Sequence, residues 1–335
     1  MGEQYYFIGV GGVGRRALQH LISLGVIKGV LDNDSRKWGT EICGFTIRPY
    51  DRDAVKGYNI IIGFFDSGEF EEILKKDGIR YWSLADFITQ WYQEKNKQAA
   101  VAFLDIPITS RCSLNCRHCM QYIPYRKEKK DVSLNDMKKR LGHLYDAIDF
   151  ILEASIIGGE PFMHPELADI ITSIDRKKIK NIVITTNGMV MPSATVLKVC
   201  KENDIFISIS DYGKTLPHIK ERIDKFESIV KESGIKCERK NQVWFAPGMF
   251  TDEDEMNQNC SRTHFQLTNH SLWYCSLQCG ASLSGVCTGV ENEDFILLNQ
   301  NSRDHVSRFL SGRRTSVCDR CGSKMGRIVP VAEQI

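Results

Sequence analysis

From residue 99 to residue 246 the sequence repeats one pattern: a short β-branched run, a loop rich in glycine or cysteine, then an amphipathic segment. The runs are "AAVAFLDIPI", "SII", "NIVITTNG", "IFISIS" and a stretch at 242–246. Ser133 with Asp136 three residues on reads as a capping box, and Val132 and Met137 are spaced to form a hydrophobic staple. Leu141, Leu144, Ile148 and Ile151 continue an apolar stripe behind that cap. Further helices are expected from Pro165 through residue 174, in "PSATVLKVCKE" with Pro192 near its start, and over 218–232. Strand–helix alternation at this pitch implies a parallel sheet able to curve into a partial barrel. Ligands bind such sheets at the carboxyl ends of the strands, and every glycine- or cysteine-rich loop named here lies on that side.

Residues 1–97 show the same alternation on a smaller scale. "YYFIGV" runs into Gly9, Gly11, Gly12 and Gly14, and "RRALQHLISLG" then has helical spacing. "IKGVLDND" is a second strand closing on Asp32, "YNIIIGF" a third, and "EFEEILKK" a helix. "IRYWSLADFITQWYQEK" supplies a last strand and helix, and the polar stretch 95–98 is the expected linker. Gly9-x-Gly11-x-x-Gly14 between strand and helix, with Asp32 beyond, is the context of a dinucleotide fingerprint. The unit is short for a complete binding domain. Through "GVLDNDSRKWGTEICG" it resembles the small Rossmann-like domain of sugar acyltransferases and other polysaccharide-biosynthesis enzymes. That resemblance implies a sugar-nucleotide or carrier ligand; a docking module and a nicotinamide site are the alternatives.

The formal charge of +2 gives no reason to expect nucleic acid or a membrane surface as partner, and no run approaches a membrane span. The opening "MGEQYYFIGVGG" has no basic segment before its apolar run, so it reads as a strand and turn rather than a signal peptide. Twelve cysteines are many for such a chain, and all but Cys43 follow Ser110. Reduced thiolate ligands in a cytoplasmic protein are the expectation they set.

Cys112-x3-Cys116-x2-Cys119 places three thiols on one loop after a strand. An iron–sulfur cluster, a zinc ion and a buried structural trio are the three readings. Zinc needs a fourth ligand, and His118, adjacent to Cys119, is poorly placed to turn toward the same ion.

The spacing resembles the signature of the radical S-adenosylmethionine (radical SAM) superfamily, with His118 where an aromatic residue usually precedes the last cysteine. The resemblance implies a partial (β/α)6 TIM-like barrel, with a [4Fe–4S] cluster on Cys112, Cys116 and Cys119 whose open iron binds S-adenosylmethionine. Gly158-Gly159-Glu160-Pro161 matches the family's "GGEP" turn, which implies that this turn contacts the cofactor's amino group. Glycines let backbone approach a ligand and Glu160 can accept from an ammonium, whereas a plain tight turn is the bland reading. "TTNG" with Asn187, and "SISDYG" with Ser208, Ser210 and Asp211, resemble segments that line the cofactor and the substrate. A turn residue before Gly188 is the other reading of Asn187.

Cys318-x2-Cys321 with Cys260 and Cys275 upstream resembles the short "twitch" form of the SPASM auxiliary-cluster domain, with His270 where that pattern has glycine. A second [4Fe–4S] cluster on Cys260, Cys275, Cys318 and Cys321 is implied, in a small domain whose apolar content is thin. Cys279 and Cys287 are left over, as alternative ligands, buried thiols or, with Cys237, hydrogen-atom donors. The expected division is 1–97 Rossmann-like, 98–246 barrel and 247–335 auxiliary domain.

The resemblance implies an enzyme that abstracts hydrogen through a 5′-deoxyadenosyl radical, fed by a flavodoxin- or ferredoxin-type reductant. Oxidation or epimerisation of a carbohydrate or sugar-nucleotide is the expectation; peptide modification and a non-enzymatic iron–sulfur carrier or metal-binding protein are the alternatives.

Overall fold

The computed structural model describes residues 3–65, 67–241, 243–245, 264–298, 303–312, 315–318, 321 and 328–335. The chain divides into two compact units, Met1–Lys97 and Gln98–Ile335.

The first unit has strands β1 (Tyr5–Ile8), β2 (Ile27–Leu31), β3 (Glu41–Ile42), β4 (Phe45–Arg48), β5 (Asn59–Ile62) and β6 (Tyr81–Ser83). Its helices are α1 (Gly12–Ser23), α2 (Gly68–Asp77) and α3 (Leu84–Asn96). The sheet order is β3-β4-β2-β1-β5-β6, with β3 antiparallel to β4 and every other pair parallel. Ile8, Leu31, Ile60, Ile62 and Leu74 form an apolar core. The β3–β4 hairpin goes beyond the sequence reading. Its two-residue turn puts Cys43 and Gly44 at φ 48° and 82°, and a cysteine in that first position gives no turn signal.

Gly14 lets α1 start directly above the first turn: a Cβ there would lie 1.8 Å from the Gly9 carbonyl oxygen and 3.0 Å from that of Gly63. A Cβ on Gly11 would meet nothing within 4 Å. Gly14→Ala should therefore cost about 1–3 kcal/mol in urea unfolding, the range of overpacking, whereas Gly11→Ala should stay within about 0.5 kcal/mol of the parent.

The second unit carries β7 (Ala100–Thr109), β8 (Phe150–Gly158), β9 (Ile179–Thr186), β10 (Phe206–Asp211) and β11 (Cys237–Asn241). These are followed by β12 (Trp244–Phe245), β13 (His264–Leu267), β14 (Ser271–Trp273), β15 (Phe295–Leu297) and β16 (Ile328–Val329). The helices are α4 (Leu134–Ala147), α5 (Leu167–Thr172), α6 (Ala194–Glu202), α7 (Lys220–Glu232), α8 (Ser276–Leu283) and α9 (Arg303–Leu310). One sheet runs β11-β10-β9-β8-β7-β13-β14-β15, and β12 pairs with β16. From β11 to β13 neighbouring strands are parallel. The α/β architecture is that of a partial barrel.

The two faces of this sheet differ in chemistry. Leu104, Ala154 and Ile182 stand opposite one another, as do Ile106, Ile156 and Ile184, and all join the apolar core that also takes in residues of α4 to α7. The alternate residues place Gln266, Asp105 and Ser155 in one row and His264, Phe103 and Glu153 in another. That face is polar although Asp105, Glu153 and Gln266 are buried. Side chains alternate across a strand, so one residue of slip would exchange the faces and bury these groups in the apolar core.

Four sequence expectations need correction. The α4 helix has its Ser133 cap, with the Asp136 N–H donating to Ser133 Oγ at 3.1 Å, but it ends at Ala147. Ile148 is its extended cap residue and Ile151 already belongs to β8, so the apolar stripe combines two elements that bury the same kind of side chain. The helix expected from Pro165 starts at Leu167. Polar β11, "CERKN", is a strand at the sheet edge, where one exposed side removes the need for an apolar run. The block after residue 263 is not thin in core: α8 buries Leu277, Gln278, Cys279, Gly280 and Ala281.

Candidate functional site

The strand ends bring the motifs together. Cys112, Cys116 and Cys119 follow β7, the turn 158–161 ends β8, Asn187 follows β9, and Ser210 is the last but one residue of β10. A cavity of about 220 Å³ is lined by these three cysteines, Gly158, Gly159, Thr185, Thr186, Asn187, Ser210, Tyr212 and Trp244, among others.

Backbone approach explains both glycines. The Gly159 N–H donates to the Thr109 carbonyl and that of Glu160 to Arg111, each at 2.8 Å. A Cβ on Gly158 would stand 2.2 Å from the Thr109 oxygen, and one on Gly159 would stand 2.0 Å from the Arg111 oxygen. Gly158 also has φ +146°, which L side chains rarely adopt. The turn is thereby laced to the start of the cysteine loop.

Glu160 has a supporting position in this wall. It is fully buried, and its carboxylate accepts from Thr186 Oγ1 at 2.7 Å, the Asn187 N–H at 2.9 Å and the Phe162 N–H at 3.2 Å. Burial pushes its carboxyl up to about 7, against the pull of those donors.

Each cysteine sulfur receives N–H donors. Leu114 N–H and Asn187 Nδ2 approach Cys112 Sγ at 3.5 and 3.7 Å. Gln334 Nε2 donates to Cys116 Sγ at 3.3 Å, and the backbone of Ile123 and Gln121 serves Cys119. Burial raises all three thiols, Cys112 to about 12 and Cys116 to about 11. Arg126 and Lys129 are cations whose field reaches Cys119. Among the described residues no three His, Cys, Asp or Glu side chains converge so as to hold a metal ion as they stand. The donor set nonetheless fits a [4Fe–4S] cluster: three thiols open on one cavity, each has N–H donors, and each would take its own iron.

The other expected residues are scattered. Asp211 is tied to Arg239 Nε at 2.7 Å and accepts from the Gly213 N–H, and its carboxyl lies below the usual range despite burial because of those two partners. Ser208 is buried on β10, and Cys237 begins edge strand β11. Cys279 is fully buried on α8 and accepts from Gln266 Nε2 at 3.0 Å. Cys275, Cys287 and Cys321 pack on one small cluster of Tyr122, Leu277, Ala281 and Val317. The Cys318 sulfur accepts from the Thr315 N–H at 3.1 Å, and Cys260 lies outside the described residues. In the first unit Asp32 is buried with one oxygen on the Val10 N–H and Lys37 Nζ, both at 2.8 Å, and the other on the Asp34 N–H. Asp32 thus clamps the turn that holds Gly9 and Gly11.

Sequence reasoning passed over Tyr212, Trp244 and Gln334. Tyr212 stood inside the quoted "SISDYG" and could have been found there; Gln334 is 218 residues from Cys116 and carries no local signal.

Residues 106–254, within the second unit, match the family model described as the Radical SAM superfamily. The chain is 36% identical over 106 residues to the antilisterial bacteriocin subtilosin biosynthesis protein AlbA of Bacillus subtilis, covering 31% of this chain and 22% of that protein. It is 33% identical over 94 residues to the GTP 3′,8-cyclase of Clostridium acetobutylicum, covering 28% of this chain and 29% of that protein. The chain thus spans less than a third of either relative. Among solved structures, that of BtrN in complex with AdoMet and 2-DOIA is similar with a TM-score of 0.44 and 16% identity, over 70% of this chain and 96% of that one. Among the described residues no helix is long and apolar enough to cross a membrane.

Thr186→Val removes one donor from the buried Glu160 carboxylate and should cost about 1–3 kcal/mol of stability. The sign with pH follows from the raised carboxyl. Between 4.5, its ordinary value, and about 7 the folded state holds the proton that the unfolded chain has released, so this group's contribution falls as pH rises through that window. Thr186 favours the ionised form, so the variant's deficit should be larger at pH 8 than at pH 5.5 in denaturant unfolding.

Proposed function

We propose that this chain is a radical SAM enzyme that takes a hydrogen atom from a peptide or other small substrate. The observation that carries the reading is the single cavity shared by Cys112, Cys116, Cys119, the glycines of the turn 158–161, Asn187 and Ser210. Cys112, Cys116 and Cys119 would hold a [4Fe–4S] cluster there, which would supply the reducing electron for cleavage of S-adenosylmethionine. Gly158 and Gly159 keep backbone against the cysteine loop, leaving no side chain between turn and cavity. Asn187 and Ser210 line the cavity as candidates to bind the cofactor's polar groups, and Tyr212 and Trp244 give it an aromatic wall that helps exclude water. Glu160 supports the reading as the clamp between the turn and the end of β9.

The similarity to a bacteriocin biosynthesis protein favours a peptide substrate over the carbohydrate expected from the first unit. A second cluster belongs to the same reading. Cys275 and Cys321 share one small apolar cluster, which supports them as its ligands together with Cys318 and Cys260. Gly9, Gly11 and Gly14 remain candidates for a phosphate-bearing ligand of the first unit.

Anaerobic reconstitution should load about eight irons per chain, the content of two such clusters, and dithionite with S-adenosylmethionine should then yield 5′-deoxyadenosine by chromatography. Cys116→Ala should abolish that product, and Cys318→Ala should retain the site cluster. Zinc uptake without cofactor cleavage would overturn the reading. With a precursor peptide, net oxidation lowers the peptide mass, whereas epimerisation in heavy water adds deuterium.

A further inference from the structure

The segment 328–335 lies against the cysteine loop through a set of paired groups. Cys116 and Gln334 form an antiparallel bridge. The Arg117 N–H donates to the Glu333 carbonyl at 2.7 Å, and the Ile335 N–H donates to the Asn115 carbonyl at 3.0 Å. Asn115 Nδ2 reaches the Ile335 carbonyl at 3.2 Å. Glu333 pairs with Arg117 at 3.3 Å and faces His118 at 3.5 Å. Ala332 is fully buried at φ +56°, and Val329 and Val331 pack on the main core.

These contacts fix the Gln334 side chain, although the residue as a whole is exposed. Its Oε1 accepts from the Asn115 N–H at 2.7 Å, so the amide orientation follows from a backbone donor that can only give. The amide nitrogen then faces two acceptors, the Ala332 carbonyl at 2.6 Å and Cys116 Sγ at 3.3 Å. Cys116 itself is 7% exposed, so the sulfur end of this bond is shielded from water. Cys112 and Cys119 draw donors from the loop's own backbone and from Asn187, whereas Cys116 draws on a residue brought from far along the chain.

We propose that Gln334 is a positioning residue for the site cluster: its amide N–H binds the Cys116 sulfur and raises the cluster's reduction potential. The inference rests on the radical SAM reading above. A donor to a ligand sulfur stabilises negative charge there, and a reduced cluster carries one more negative charge than an oxidised one. Losing the donor therefore disfavours reduction.

The test compares the reconstituted full chain with Gln334→Leu, which removes donor and acceptor, and Gln334→Glu, which keeps the acceptor for Asn115 N–H and removes the donor. Each is poised with a low-potential viologen mediator, and reduced cluster is read by EPR, in the signal that S-adenosylmethionine perturbs. At the poise where half of the parent cluster is reduced, Q334L should shift the ratio about tenfold toward oxidised, which is about 59 mV for a one-electron couple. Q334E should shift it further, because a carboxylate then faces the sulfur. Iron content and the melting transition are compared with the parent, and Q334E carries the test if Q334L fails to hold iron. An unchanged ratio in a variant with parental iron overturns the role of Gln334. A parent chain that loads no cluster overturns the radical SAM reading instead.

Discussion

Two backbone hydrogen bonds, from Gly159 to Thr109 and from Glu160 to Arg111, hold the candidate site in place. They join the end of β8 to the first residues of the cysteine loop at a separation that admits no Cβ. The loop has little regular structure of its own, so its three thiols depend on such ties to reach one cavity. Further ties include the Ser110 N–H on the Lys130 carbonyl and the pairing of residues 115–117 with 333–335. A short motif on β8 and a strand-like segment near residue 334 thus act together on the same loop.

Polar burial is the second constraint on this unit. The polar face of the sheet carries Asp105, Glu153 and Gln266, and Glu160 sits behind the cavity lining, all buried. Such groups are costly unless they are hydrogen-bonded: Asp105 faces His264 of neighbouring β13 at 3.5 Å, and Glu160 accepts from Thr186 at the end of β9. Gln266 joins Gln121 of the cysteine loop to Cys279 on α8, at 2.9 and 3.0 Å. Gly280 lets α8 lie against that loop, since a Cβ would stand 3.1 Å from the backbone of Gln121 and Met120. The segment after residue 263 therefore extends the barrel sheet through β13 and also braces the cysteine loop from a further side.

Legibility in the sequence followed the range of the interaction. The capping box of α4, the glycine fingerprint and the order of strand-end motifs depend on neighbours a few residues apart, and they were readable. The stripe through Ile148 and Ile151 misled because burial alone does not distinguish a helix face from a buried strand. The "CERKN" strand was missed because an edge strand tolerates polar residues on both faces. The donors to Glu160, from Thr186, Asn187 and Phe162, were not legible because they exist only once β8 and β9 are paired.

The sequence by itself determined the alternation of strands and helices and the placing of the three cysteines and of the glycine turn 158–161 at strand ends. Spacing and local propensity act along the chain and need no fold to be recognised. Only the tertiary structure decided which groups serve those thiols: Gln334 for Cys116 and Asn187 for Cys112. The physical reason is that hydrogen bonding and packing act over a few ångströms in space, whatever the distance along the chain. Residues 116 and 334 become neighbours only when the segment carrying β16 and the cysteine loop fold against one another.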